Sequence, residues 1–240
     1  MNCKNCQGEL TSKYCPNCGQ SANLKRIDGN YIIHEIKHVL HFEKGILFTI
    51  RELLIRPGEN VRHFITENRN RLVKPIIFII VTSLLYTLTI HFFHIEDGYI
   101  KFTVSGTEKS AAVDIVNWIQ AHYGYSNIVI GIFITLWLKI FFKKFDYNFY
   151  EILILLCFVI GMEMLLLTVF ATFQGLTHLN VMKIGSITGV IYFLWAIGQF
   201  FDKKKKITYV KGLASYMLGM ITFIISAILL GALIDLILKQ

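Results

Sequence analysis

The chain has 240 residues, of which 54% are hydrophobic and 17% are charged, and its formal net charge is +8 at pH 7. This composition is too apolar for a disordered chain or an ordinary soluble domain. About five apolar runs, each long enough to cross roughly 30 Å of hydrocarbon, leave no room for a large catalytic domain. The sequence therefore predicts an all-α integral membrane protein with five transmembrane helices.

The first 18 residues contain four of the five cysteines, arranged as two C-x2-C pairs: Cys3, Cys6, Cys15 and Cys18. Each pair places two thiolates on one tight turn, and two pairs close a tetrahedral zinc site without an open position. The spacing predicts a structural zinc ribbon at residues 1–22, with zinc as its cofactor and the source of its stability. The alternative is a pair of redox motifs or disulfides, which the absence of a thioredoxin-like βαβ pattern disfavours. Residues 1–24 contain no apolar segment, so a signal peptide is not expected.

Residues 28–74 alternate basic and apolar positions, as interfacial amphipathic helices on a membrane surface do. We expect one helix near residues 32–40, a second from Ile46 to a break at Pro57, and a third over about residues 59–68. The first helix carries three histidines at i, i+4 and i+7: His34, His38 and His41. They are candidates for a metal site or a pH-sensitive surface, although a polar stripe facing lipid headgroups also explains them.

A membrane domain is expected over residues 75–240. Its predicted spans are residues 75–95, 123–142, 150–173, 184–201 and 212–238, with an outer loop at 96–122. Under this topology, 20 of the 24 Lys and Arg residues lie on the side of the amino terminus. The positive-inside rule then predicts a bacterial inner-membrane protein with a cytoplasmic amino terminus and an external carboxy terminus. A zinc-thiolate site needs the same reducing compartment.

Basic residues cluster just before the first and last predicted spans. The candidates for binding anionic membrane lipid headgroups are Arg69, Arg71, Lys74, Lys203, Lys204, Lys205 and Lys206. The alternative is that these basic runs only fix the topology of the chain, as such runs more often do. Nucleic acid is an unlikely partner, because the head has few basic residues and one aromatic residue, Tyr14.

Glu163 lies near the middle of the third predicted span, where a charged residue costs about 2.5–3.5 kcal/mol. It is a candidate for an ion or proton route. The alternative is a neutral carboxyl that forms a hydrogen bond with Tyr192, Gln199 or Thr168. His91 and His94, at the outer end of the first span, are further candidates for a metal site, but their spacing falls short of a ligand signature.

Several motifs together resemble an uncharacterised family of bacterial inner-membrane proteins, a domain of unknown function with a zinc-ribbon head. They are the cysteine head ending in Y-C-P-N-C-G-Q, the element R-P-G-x3-R-x-F-I at residues 56–65, a basic stretch ending in K-P, and I-Y-F-L-W-A-I at residues 191–197. The resemblance covers most of the chain and implies no activity. The chain departs from the family pattern at Asn68, where a glycine is common, and at the start of the third span, which lacks a Glu-His pair.

No H-E-x-x-H, G-x-S-x-G, Walker or G-x-G-x-x-G motif is present in the sequence. Our hypothesis is therefore a non-enzymatic adaptor, sensor or assembly factor that docks a cytoplasmic protein partner or anionic lipid through its zinc ribbon. The alternative is a small transporter or channel component, acting as a homo-oligomer, with Glu163 as a protonatable gate. An intramembrane hydrolase would need a second catalytic group facing Glu163 or the outer histidines, and no spacing in the sequence demands one.

Overall fold

The computed structural model describes residues 2, 3, 6–9 and 16–18, residues 45–95, residues 111, 114, 115, 118 and 119, and residues 123–238. The chain divides into two units, Met1–Glu43 and Lys44–Gln240. In the first unit, an isolated antiparallel bridge between Asn2 and Glu9 closes a short hairpin. In the second unit the described secondary structure is entirely helical.

Seven helices make up the described part of the second unit. They are α1 (Ile46–Ile55), α2 (Pro57–Thr66), α3 (Pro75–Phe92), α4 (Tyr123–Phe141), α5 (Phe149–Thr177), α6 (Met182–Phe200) and α7 (Lys206–Leu238). A 3-10 turn at Lys143–Phe145 joins α4 to α5. Among the described residues, three helices are long and apolar enough to cross a membrane: Pro75–Phe92, Phe149–Thr177 and Lys206–Ile237. The chain therefore has the helices of a membrane protein, as its composition predicts.

Helix boundaries follow local signals near the predicted positions. α1 and α2 meet at Arg56, directly before the predicted break, and Pro57 starts α2 because its missing N–H needs no partner there. α5 starts at Phe149, where Asn148 and Glu151 form a capping box. α7 starts six residues before the predicted span, because the helix continues past its apolar part to Lys206. The predicted helix at residues 32–40 lies outside the described residues.

α5 is the central helix of the second unit. Within its most apolar stretch 67% of the residues are buried in the protein, against 28% for α3 and 22% for α7. Its Leu155, Leu156 and Phe158 are fully buried, and α5 packs against α3, α4 and α6. The outward faces of α3 and α7 expose large apolar side chains such as Leu88 and Leu229. Such faces suit helices whose surroundings are lipid.

α2 turns its apolar face towards the bundle. Val61, Phe64 and Ile65 are buried, and the ring of Phe64 meets that of Phe158 in α5 edge to face, with 5.4 Å between centroids. The apolar side of this amphipathic helix thus contacts protein. Its location at a membrane surface stays a prediction.

A glycine allows α2 to approach α6 closely. A Cβ atom at Gly58 would lie 2.2 Å from the backbone nitrogen of Phe200 and 2.6 Å from the backbone oxygen of Ala196. Backbone atoms of a packed helix cannot move aside as the end of a side chain can. The glycine of the R-P-G element is therefore a packing requirement between two helices.

We predict that Gly58→Ala destabilises the second unit by about 1–3 kcal/mol through overpacking against the backbone of α6. Thermal unfolding in detergent measures the change. Gly131→Ala is the matched control, because its new Cβ would meet only the end of the Ile160 side chain, at 3.0 Å. Equal unfolding midpoints for the two variants would contradict this packing.

Candidate functional site

The described cysteines of the first unit, Cys3, Cys6 and Cys18, lie on two turns. In the first turn the backbone N–H of Cys3 donates to the oxygen of Gly8 at 2.8 Å, and that of Gln7 donates to the oxygen of Cys3 at 2.9 Å. Gln7 has a φ of 62°, the left-handed conformation that folds the chain back after Cys6. A second turn at residues 16–18 presents Cys18. The two turns bring together cysteines that are far apart in the sequence.

The three described thiols of this unit fit one metal ion. The sulfur atoms of Cys3, Cys6 and Cys18 all lie within 4.8 Å of one another, and those of Cys3 and Cys18 are 3.6 Å apart. Two sulfur ligands about 2.3 Å from a tetrahedral zinc ion would be about 3.8 Å apart. None of the three forms a disulfide. Cys15, the predicted fourth ligand, lies outside the described residues.

Glu163 is buried at the contact between α5 and α6, with 5% of its surface exposed. A Cβ atom at Gly189 of α6 would lie 2.9 Å from its Cγ and 3.0 Å from its Oε1. The absence of a side chain at Gly189 therefore makes room for the carboxyl group. The pattern of the sequence identifies Glu163 but gives no sign of this glycine.

The three expected hydrogen-bond partners of Glu163 do not bind it. The hydroxyl of Tyr192 donates to the backbone oxygen of Leu53 at 3.1 Å, and that of Thr168 donates to the oxygen of Met164 at 2.8 Å. The side-chain oxygen of Gln199 is buried and has no partner among the described residues. The structure thus leaves the Glu163 carboxyl without a described donor.

The predicted lipid-binding cations fall into two groups. Arg71 pairs with Glu52 at 2.7 Å, Lys203 with Glu59 at 3.0 Å and Lys205 with Asp202 at 3.1 Å. In the described part of the chain the other four form no ion pair: Arg69, Lys74, Lys204 and Lys206. The second group has no carboxylate partner among the described residues, whereas the first group shares its charge with one.

Arg62 links α2 to the end of α6 by hydrogen bonds. The sequence did not predict this role. Its Nη2 donates a hydrogen bond to the backbone oxygen of Gln199 at 2.7 Å and another to that of Phe200. The last four carbonyl groups of a helix lack partners within it and carry the negative end of its dipole. The guanidinium group of Arg62 donates hydrogen bonds to these carbonyl groups and places a positive charge at the negative end of the dipole. The available signal is the spacing of Gly58 and Arg62 in the R-P-G-x3-R element, since residues i and i+4 share one helix face.

The histidine candidates gain little support. The rings of His91 and His94 have centroids 6.3 Å apart at the end of α3, and no third described ligand joins them in a metal-binding group. His34, His38 and His41 lie outside the described residues. Cys157, the fifth cysteine, is buried in the core of the second unit beside Phe158.

We predict that Cys18→Ser lowers zinc affinity more than about tenfold, because a serine hydroxyl does not replace a thiolate ligand. The measurement is metal content after purification in the presence of a chelator. Cys157→Ser is the control and should keep the metal, since this thiol is buried in α5. Wild-type protein without zinc, or an unchanged content in Cys18→Ser, would contradict a thiolate site.

Comparison with known proteins gives one partial match. The model of a family described as Protein of unknown function (DUF3667) matches residues 43–87. This segment contains α1, α2 and the first part of α3, including the whole R-P-G-x3-R-x-F-I element. No curated protein and no solved structure matches the chain significantly. The matched segment is similar to a domain of unknown function, as the motifs predict, and the match does not extend to the cysteine head.

Proposed function

We propose that this chain is a non-enzymatic adaptor of the bacterial inner membrane. A zinc ribbon formed by Cys3, Cys6, Cys15 and Cys18 docks a protein partner in the cytoplasm, and the basic surface of the second unit contacts anionic lipid. The observation that carries the proposal is the clustering of three thiols within 4.8 Å. A closed thiolate site offers no position for a substrate, so its role is to fold a small surface.

Five spans and a cytoplasmic amino terminus belong to this proposal. α4 and α6 have 19 residues each, so at about 1.5 Å per residue they are close to the thickness of the hydrocarbon core. Both helices pack against α5. Together with the three more apolar helices they give an odd number of crossings. The concentration of Lys and Arg on alternate connections then favours a cytoplasmic head.

Lipid contact is supported by the cations without an internal partner. Arg69 and Lys74 precede α3, Lys204 lies between α6 and α7, and Lys206 is the first residue of α7. In the proposed topology all four lie on the cytoplasmic side. There each would gain about 1 kcal/mol from the negative surface of the membrane.

Photo-crosslinking in intact cells tests the docking. With the photoreactive residue in place of Lys13, we expect one partner to be captured by the wild type and by Cys157→Ser. The double variant Cys15→Ser and Cys18→Ser should lose that partner, because the head unfolds without its metal. Capture that persists in the double variant, or no capture in any growth condition, would count against an adaptor.

Buried Glu163 favours one second candidate, a small oligomeric transporter or channel component. The carboxyl group is buried against Gly189 at a helix contact, and acidic side chains inside membrane helices often mark ion or proton routes. Glu163→Gln separates the two candidates, since it keeps the shape of the side chain and removes its titration. It should leave partner capture unchanged in an adaptor and abolish pH-dependent flux into vesicles in a transporter.

A further inference from the structure

A polar cleft lies between α1 and α2. Its volume is about 350 Å³, and its lining residues are Glu52, Ile55, Arg56, Glu59, Asn60, His63 and Arg71. Pockets for small ligands have volumes of about 300–1,000 Å³. The side chain of Asn60 is buried and donates to the backbone oxygen of Glu52 at 2.9 Å, which ties the two helices together at the cleft. The cleft is therefore large enough for a lipid headgroup, and the hydrogen bond of Asn60 holds its two helices together.

Charges of both signs line this cleft. Arg71 pairs with Glu52 at 2.7 Å, and Glu59 accepts a hydrogen bond from Lys203 at 3.0 Å and lies 3.9 Å from Arg56. The hydrogen bond from Lys203 holds the pKa of Glu59 below its usual range, so this carboxylate stays ionised at neutral pH. Each guanidinium has five N–H donors, and one pairing leaves several of them for a ligand. Two arginines and two carboxylates line the cleft in equal numbers, so a zwitterion matches both signs.

The cleft continues into an apolar surface. Ile55 lines the cleft and is 53% exposed, and on the same helix Leu54 is 47% and Leu47 is 78% exposed. Residues at i, i+7 and i+8 share one face of a helix. A charged cleft beside an exposed apolar face has the two-part chemistry of an amphiphile: a polar headgroup with an acyl chain beside it.

Every residue that lines the cleft falls within residues 43–87, the segment that matches a family of unknown function. The cysteine head and the helices after α3 lie outside that segment. The segment that matches the family model thus builds the cleft and its apolar edge.

We propose that this cleft binds the headgroup of an aminophospholipid, with its phosphate on Arg56 and Arg71 and its primary ammonium on Glu59. The acyl chains follow the exposed apolar face of α1. None of the residues of this site belongs to the cysteine head, so lipid binding can be tested independently of partner docking. A primary ammonium donates hydrogen bonds to a carboxylate, whereas the trimethylated ammonium of phosphatidylcholine has no N–H.

Native mass spectrometry of the delipidated full-length protein tests the site. The probes are phosphatidylethanolamine, phosphatidylcholine and phosphatidylglycerol with identical acyl chains. The cations outside the cleft also hold anionic lipid, so the measure of the cleft is the binding that Arg56→Gln removes. We expect this component to be at least fivefold tighter for phosphatidylethanolamine than for either of the others. An equal component for the three lipids, or a larger one for phosphatidylglycerol, overturns the proposal. Soluble glycerophosphoethanolamine should bind at least tenfold more weakly, and equal affinity for it would overturn the role of the membrane lipid.

Two variants place the binding in the cleft. Arg56→Gln, at a side chain that is 69% exposed, should weaken phosphatidylethanolamine binding about tenfold without unfolding the protein. Glu59→Gln should remove the preference for phosphatidylethanolamine over phosphatidylcholine. Lys144→Gln and Asp146→Asn remove a positive and a negative charge at exposed positions outside the cleft. They should alter neither the affinity for phosphatidylethanolamine nor its preference over phosphatidylcholine. Unchanged binding in both cleft variants overturns the assignment.

Discussion

The fit of α2 against the carboxyl end of α6 is the contact on which the rest of the second unit depends. Gly58 lets the two backbones approach, and Arg62 donates to the carbonyl groups of Gln199 and Phe200, which the helix itself leaves unpaired. Both residues belong to one short element of sequence. A residue with a Cβ at position 58 would separate the helices, and without the guanidinium the end of α6 would lose its cap.

The same contact holds α1 and the cleft in place. Asn60 of α2 and Tyr192 of α6 donate to the carbonyl groups of Glu52 and Leu53, near the end of α1. Lys203, just after α6, binds Glu59 at the rim of the cleft. A segment that composition alone describes as amphipathic is therefore integrated into the helical bundle by directional polar contacts.

Local signals in the sequence account for what could be predicted. Apolar runs and the Pro57 break place the helices to within a few residues, and the C-x2-C spacing identifies thiols that the fold brings together. Contacts between distant segments leave no such signal. Arg62 looks like one more basic residue before a span, and only the fold shows that it meets carbonyl groups 137 residues away at Gln199. The space beside Glu163 likewise depends on a glycine of another helix, Gly189.

Site-directed crosslinking in native membranes tests the fit of α2 on α6 most directly. Glu59→Cys combined with Lys203→Cys replaces side chains whose charged atoms are 3.0 Å apart. A short bismaleimide should join the two introduced thiols, with the linked peptide identified by mass spectrometry. Glu67→Cys with Lys203→Cys should give no link, because Glu67 directly follows α2 and lies about 12 Å from Glu59 along the helix axis. Equal linking of both pairs, or of neither, would contradict the docking of α2 on α6.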